Sequence, residues 1–230
     1  MTTPASDSIL LDAFLPRISL AQNVLLIVAG SLLVALCAQI SLPLPFSPVP
    51  VTGQTFAVLL LGATYGPRRS AAALLLYLAE GAAGLPVFAP DGLPGLARLL
   101  GPTGGYLLAF PAAAFLLGWL VERSAARRPA PSKRSEDPAP FAGPDPASGG
   151  GRRGWWSWLG AVLAAEAVIF VGGLVWLQLL TGSGWREAIV LGLLPFLPGE
   201  LVKVALLAAC LPASWWALRA STLARRQPRA

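Results

Sequence analysis

One acid and one base stand alone in the last long apolar run of the chain. They are Glu200 and Lys203, in Pro198-Gly199-Glu200-Leu201-Val202-Lys203, and residues 188–197 and 204–211 on either side carry no charge. Three apart on a helix, the two side chains share a face. In a bilayer both charges are costly unless they pair or meet a polar ligand. Two readings stay open: a ligand site offering one acceptor and one donor, or a neutralised ion pair that only fixes helix packing.

A second acid, Glu166, lies in the preceding apolar run. It can pair with Lys203, line a pocket, or sit near the cytoplasmic end as a packing contact. Glu80 reads as interfacial. Much chemistry is excluded. The chain has no histidine, so Ser-His-Asp catalysis, HExxH zinc sites and histidine-ligated haem are out. No G-x-x-x-x-G-K-[ST] occurs, so there is no Walker-type nucleotide site. Cys37 and Cys210 both lie in apolar runs and give neither a disulfide framework nor metal spacing. No cofactor is expected.

The elements that must position these residues are membrane helices. The chain is 55% hydrophobic and only 12% charged, against about 25% charged in soluble domains. No charge occurs between Arg17 and Arg68, or between Arg98 and Glu122. Apolar runs near 21–41, 51–65, 70–85, 104–121, 155–180 and 187–211 predict an all-α integral membrane bundle of six transmembrane helices. A tight turn is expected at Arg68-Arg69. Tryptophans 155, 156, 158, 215 and 216 are expected to anchor span ends at the interface.

Six spans put both termini on one side. That side collects 14 of the 17 basic residues, leaving Arg98 and Arg186 opposite and Lys203 within a span. The excess of Lys and Arg makes it the cytoplasmic side, for N- and C-termini alike. It also accounts for the net charge of +6. The basic residues are scattered among loops, which argues for membrane lipid rather than nucleic acid as a partner.

The organisation expected is residues 1–20 as an N-terminal segment open to an interfacial helix, 21–123 as spans one to four, 124–154 as a disordered cytoplasmic loop, 155–212 as spans five and six, and 213–230 as a basic tail. Residues 124–154 hold six prolines and five glycines, too little apolar surface to order themselves. No cleaved signal peptide is expected, since the chain opens with Asp7 and Asp12 and no basic stretch.

The non-cytoplasmic loops suit a pocket. Residues 41–55 carry prolines 43, 45, 48 and 50, which forbid helix and stiffen an extended wall or lid. Gly101-Pro102-Thr103-Gly104-Gly105-Tyr106 opens a helix whose free N–H groups suit a carboxylate or carbonyl.

The strings ISLPLPFSPVPVTGQTFAVLLLG, GLPVFAPDG, GPTGGYLLAF and PFLPGELVK, in this order, resemble the biotin-uptake family BioY, the biotin-specific membrane subunits of energy-coupling factor (ECF) transporters. The resemblance covers about residues 35–211, apart from the 124–154 insertion. It implies six helices, cytoplasmic termini and a biotin pocket open to the outside. The family's acid-plus-lysine motif falls on Glu200 and Lys203, with Glu in place of the usual Asp. The loop motif ends at Gln54, and the glycine motif falls on Thr103, Gly104, Gly105 and Tyr106. Asp91 stands where a small or amide residue is expected.

On this reading Glu200 accepts from a ureido N–H of biotin, and Lys203 donates to the ureido oxygen or to the carboxylate. Tyr106 and Trp176 offer apolar faces to the rings and chain. The candidate binding set is therefore Gln54, Asp91, Thr103, Gly104, Gly105, Tyr106, Glu166, Trp176, Glu200 and Lys203. The resemblance implies an ECF module of two ATPase subunits and a scaffold transmembrane subunit as partners, with a homo-oligomer left open. Ser31 and Ala35, small residues four apart on the first span, loosely match the scaffold-facing pattern, although the same spacing serves packing inside a bundle. The competing functions are an intramembrane enzyme using Glu200 with Glu166, and a membrane scaffold with no soluble ligand.

Overall fold

The computed structural model describes residues 19–126 and 151–209. The N-terminal segment, most of the expected 124–154 loop, Cys210 and the tail with Trp215 and Trp216 lie outside the described residues.

Helix α1, Leu20–Ala38, starts with a capping box: Ser19 Oγ accepts from the Gln22 N–H at 3.3 Å, and the Gln22 side chain accepts from the Ser19 N–H at 2.9 Å. Two otherwise unpaired donors are thus satisfied. The chain then folds back as a hairpin, β1 (Ser41–Leu42) antiparallel to β2 (Val51–Thr52). The prolines sit in its connection, where no ladder N–H is required.

Helix α2, Gln54–Tyr65, turns into α3, Pro67–Ala82, through Gly66 at φ 78°. That left-handed conformation is cheap only for glycine, and Pro67 is preset for a first helical position. The turn thus falls just before Arg68-Arg69, which ride the first turn of α3. Next come α4 (Leu96–Leu100), α5 (Gly104–Ala126), α6 (Gly151–Thr181), α7 (Trp185–Gly192) and α8 (Leu197–Ala209). Helices α5 and α6 take residues from both ends of the expected 124–154 loop.

The protein is mostly helical. Among the described residues three helices are long and apolar enough to cross a membrane: Leu20–Ala38, Gly104–Ser124 and Trp155–Thr181. A fourth is reached if α7 and α8, bent by 50°, count as one broken span. The run expected as a continuous sixth helix is thus interrupted at residues 193–196. Pro195 disfavours helix at the residue before it, and Pro198 fits the opening turn of α8. Helix α2, at 12 residues, reaches only about 18 Å, against an apolar thickness of about 30 Å.

Helix α5 is central and packs on α6, α3 and α2. Ala113, Ala114 and Leu117 are fully buried there. On α1, Ser31 and Ala35 are buried as well, and Ser31 donates to the Glu80 carboxylate of α3. The face expected to dock a partner therefore points into the bundle, with Glu80 as a packing partner of Ser31. Leu25, Leu32 and Leu36 face outward instead. Ala35→Trp should therefore overpack the buried face of α1 and cost about 1–3 kcal/mol. A thermal transition in detergent equal to the parent's would disprove that packing. Of the described interfacial tryptophans only Trp156 is exposed, while Trp158 is buried with its ring 5.5 Å from that of Trp155.

Candidate ligand-binding site

The break between α7 and α8 frees backbone carbonyls, and side chains from other elements take them. Tyr106 of α5 donates its hydroxyl to Gly192 O at 2.7 Å, and Ser47 of the hairpin connection donates to Leu191 O at 2.7 Å. These bonds hold the start of α8 beside α5 and the hairpin. Glu200 and Lys203 then face inward on α8, with side chains 9% and 12% exposed.

The two form an ion pair, Nζ to Oε1, at 2.6 Å. A third group joins them from a segment 145 residues earlier. Thr55 Oγ1 lies 3.0 Å from each Glu200 oxygen and accepts from Lys203 Nζ at 2.7 Å. The hydroxyl has one proton and two lone pairs, so it donates to Glu200 while accepting from Lys203. Thr55→Val keeps the shape and removes both contacts. Hydrogen bonds to charged groups contribute about 1.5–3 kcal/mol, so this variant should unfold at a clearly lower temperature. An unchanged transition would mean that the hydroxyl stabilises nothing.

This cluster forms one wall of a pocket. The other walls are Val49 and Pro50 of the hairpin, Gln54 of α2, Phe88 and Arg98, Thr103 just before α5 and Tyr106 within it, Ile169 and Phe170 of α6, and Phe196 at the helix break. The Tyr106 ring stands edge-on to Phe170, centroids 6.2 Å apart, and Phe170 lies 6.3 Å from Phe196. Such a lining, mostly apolar with a few placed polar groups, is that of a small-molecule site.

Five of the expected residues meet here: Gln54, Thr103, Tyr106, Glu200 and Lys203. Gln54 is buried, donates to the Tyr77 hydroxyl and accepts from Thr52 at 3.0 Å. Thr103 Oγ1 is buried with no hydrogen-bond partner among the described residues.

The other five are placed differently. Gly104 and Gly105 allow close approach: a β-carbon on Gly104 would strike Leu99 O, and one on Gly105 would strike Trp176 and Gly172 O. Trp176 donates its indole N–H to Gly101 O at 2.9 Å, which fixes the start of α5. Asp91 accepts from Ser41 Oγ at 2.6 Å and ties the hairpin to the α3–α4 connection. Glu166 is buried on α6, and neither of its carboxyl oxygens has a hydrogen-bond partner among the described residues. Gly104, Gly105, Trp176 and Asp91 thus support the site without lining it, and Glu166 does not line it either.

Sequence reasoning missed Thr55, Arg98, Phe88, Phe170 and Phe196. Arg98 had a signal, as the only charged residue between Asp91 and Glu122. It is 6% exposed and donates to the carbonyls of Asp91 and Ala89, the latter at 3.2 Å. Burial pushes its guanidinium below the ordinary value, against the opposing effect of Tyr77 and Asp91. A guanidinium stays protonated in proteins, so Arg98 is a buried cation with donors to spare.

The fold and the site together define a polytopic helical membrane protein with a small-ligand pocket, bearing a neutral ion pair on one side and a cation on another. A sequence model of the BioY family matches residues 7–220, and the chain belongs to that family. It is 34% identical over 185 residues to the probable biotin transporter BioY of Pyrococcus horikoshii, covering 80% of this chain and 91% of that one. It is also 34% identical over 194 residues to the biotin transporter BioY of Rhodobacter capsulatus, covering 80% and 87%. Its fold matches the crystal structure of the S-component for biotin from an ECF-type ABC transporter, with TM-score 0.64 over 84% of this chain and 92% of that one, at 22% identity.

Proposed function

We propose that the chain binds biotin in this pocket and serves as the substrate-binding subunit of an ECF-type biotin transporter. The observation that carries the reading is the cluster of Glu200, Lys203 and Thr55 in a mostly apolar pocket. The ureido ring of biotin is neutral and needs an acceptor for its N–H groups and a donor for its oxygen, and the Glu200–Lys203 pair offers both. Arg98 takes the carboxylate at the end of the valerate chain. Its charge and spare donors suit that group, and Thr103 Oγ1 adds an unused hydroxyl. The aromatic rings cover the bicycle and chain.

As a member of a transporter family the chain is not an enzyme. It has no nucleotide motif, so uptake draws energy from an ECF module of two ATPase subunits and a scaffold membrane subunit. Six helices cross the membrane with both termini cytoplasmic. The charge asymmetry supports this, with the short α2 and α3 reaching through by way of their connecting segments.

Titrating the detergent-purified chain with biotin tests the reading through its tryptophan fluorescence. A saturable change, matched by equilibrium dialysis of biotin, is expected. Absence of binding in both would refute it. Biotin amide, which lacks the charged carboxylate, should bind less tightly than biotin, and the gap should close in Arg98→Ala. A gap that persists in Arg98→Ala would move the carboxylate away from Arg98.

A further inference from the structure

A second cleft lies at the far end of the bundle from the ligand pocket. Its walls include Tyr65 of α2, Arg68 and Arg69 of α3, and Phe115, Trp119 and Glu122 of α5, and its volume is about 370 Å³. The ligand pocket is lined instead by Thr55 at the start of α2 and Tyr106 near the start of α5. At a rise of about 1.5 Å per residue, Tyr65 is about 15 Å along α2 from Thr55, and Trp119 about 20 Å along α5 from Tyr106. The two sites share no residue.

The cleft is cationic, and two of its arginines are held in place. Arg69 is half-buried and donates from Nε to Asn23 Oδ1 of α1 at 2.9 Å. The guanidinium of Arg123, one turn past Trp119, lies 3.8 Å from the centre of the Trp119 ring. That contact fixes a cation over the aromatic face. Arg68, beside Arg69, is exposed. Among the described residues, three arginines thus stand against the one carboxylate of Glu122. A guanidinium presents a planar fork of donors that matches the oxygens of a phosphate.

The cleft also opens sideways along α5. Leu108, Ala112, Phe115 and Trp119 follow one another at spacings of four, three and four, so they form one stripe. Leu108 and Phe115 are 48% and 45% exposed. Helix α5 is long and apolar enough to cross a membrane, so the stripe runs through the apolar layer and ends at Trp119, in the cleft.

We infer that this cleft binds the phosphate headgroup of an anionic phospholipid, with an acyl chain along the α5 stripe. A soluble phosphate compound would use the arginines and leave the stripe bare, whereas a lipid uses both. Basic clefts between membrane helices suit such headgroups. The arginines fall on the side that the charge asymmetry makes cytoplasmic.

Native mass spectrometry of the purified full chain in uncharged detergent tests this, with phosphatidylglycerol or phosphatidylcholine added and inorganic phosphate as competitor. Phosphatidylglycerol should bind in preference to phosphatidylcholine, and an equal concentration of phosphate should not displace it. Arg68→Gln and Arg123→Gln, both exposed, should each weaken it about fivefold and together more than tenfold. Arg186→Gln, an exposed arginine of α7, should leave it unchanged. Equal binding of the two lipids, or equal losses in Arg68→Gln and Arg186→Gln, would overturn the site. Displacement by phosphate would overturn the lipid as occupant. Lost co-purification of the ECF module in the double variant, without any lipid preference in the parent, would make the cleft a partner face and refute the proposal. The parent's lipid preference does not depend on the folding of any variant. It is read without biotin and in detergent, so failure of the biotin reading or of the topology would leave it standing.

Discussion

Lys203→Ala should weaken biotin binding by some tens to thousands-fold. Its ammonium is 2.6 Å from Glu200 Oε1 and 2.7 Å from Thr55 Oγ1, on a side chain only 12% exposed. Removing it takes away a donor to the ligand and also leaves the Glu200 carboxylate buried with only the Thr55 hydroxyl. Truncating one partner of a buried charge pair costs about 2–5 kcal/mol, which sets the size of the effect. The loss mixes recognition with stability, so a second variant separates them. Glu200→Leu combined with Lys203→Met removes both charges at once, and an apolar pair of similar volume is often as stable as the ion pair. It should melt near the parent temperature yet fail to bind biotin. A folded, monodisperse Lys203→Ala that binds biotin as tightly as the parent would remove the cluster from the site.

Gly105→Val should destabilise the whole bundle. A β-carbon at Gly105 meets Trp176 Cβ and Gly172 O, and neither is the movable end of a side chain. Helices α5 and α6 must separate, which strains the Trp176–Gly101 bond and the Tyr106–Phe170 ring contact. Overpacking of this kind costs about 1–3 kcal/mol. Thermal stability and biotin affinity should therefore fall together. The control is Gly160→Ala on α6, where a β-carbon meets nothing within 4 Å. There alanine should be neutral or stabilise by about 0.5–1 kcal/mol through helix propensity. A Gly105→Val protein as stable as Gly160→Ala would disprove close packing at the start of α5.

The sequence by itself determined the class of the protein and the heart of its site. Long uncharged runs can only be stabilised inside a membrane, so they mark membrane helices whatever their neighbours. Glu200 and Lys203 were legible because three residues on a helix put two side chains on one face, wherever that face points. Gln54, Thr103 and Tyr106 were legible because short motifs brought them with the family resemblance.

The tertiary structure alone decided which faces meet. When every side of a helix is apolar, the hydrophobic pattern no longer tells inside from outside, and small residues settle the packing. Ser31 and Ala35 therefore looked available for a partner but are buried in the bundle, Ser31 against Glu80 of α3. Gly104 and Gly105 looked like donors at a helix start, but their missing β-carbons admit Leu99, Gly172 and Trp176. Thr55 reaches Glu200 across 145 residues of chain. Helical periodicity acts over a few residues. Contacts between helices depend on turns at Gly66 and at residues 193–196, and those turns were set by packing as much as by local sequence.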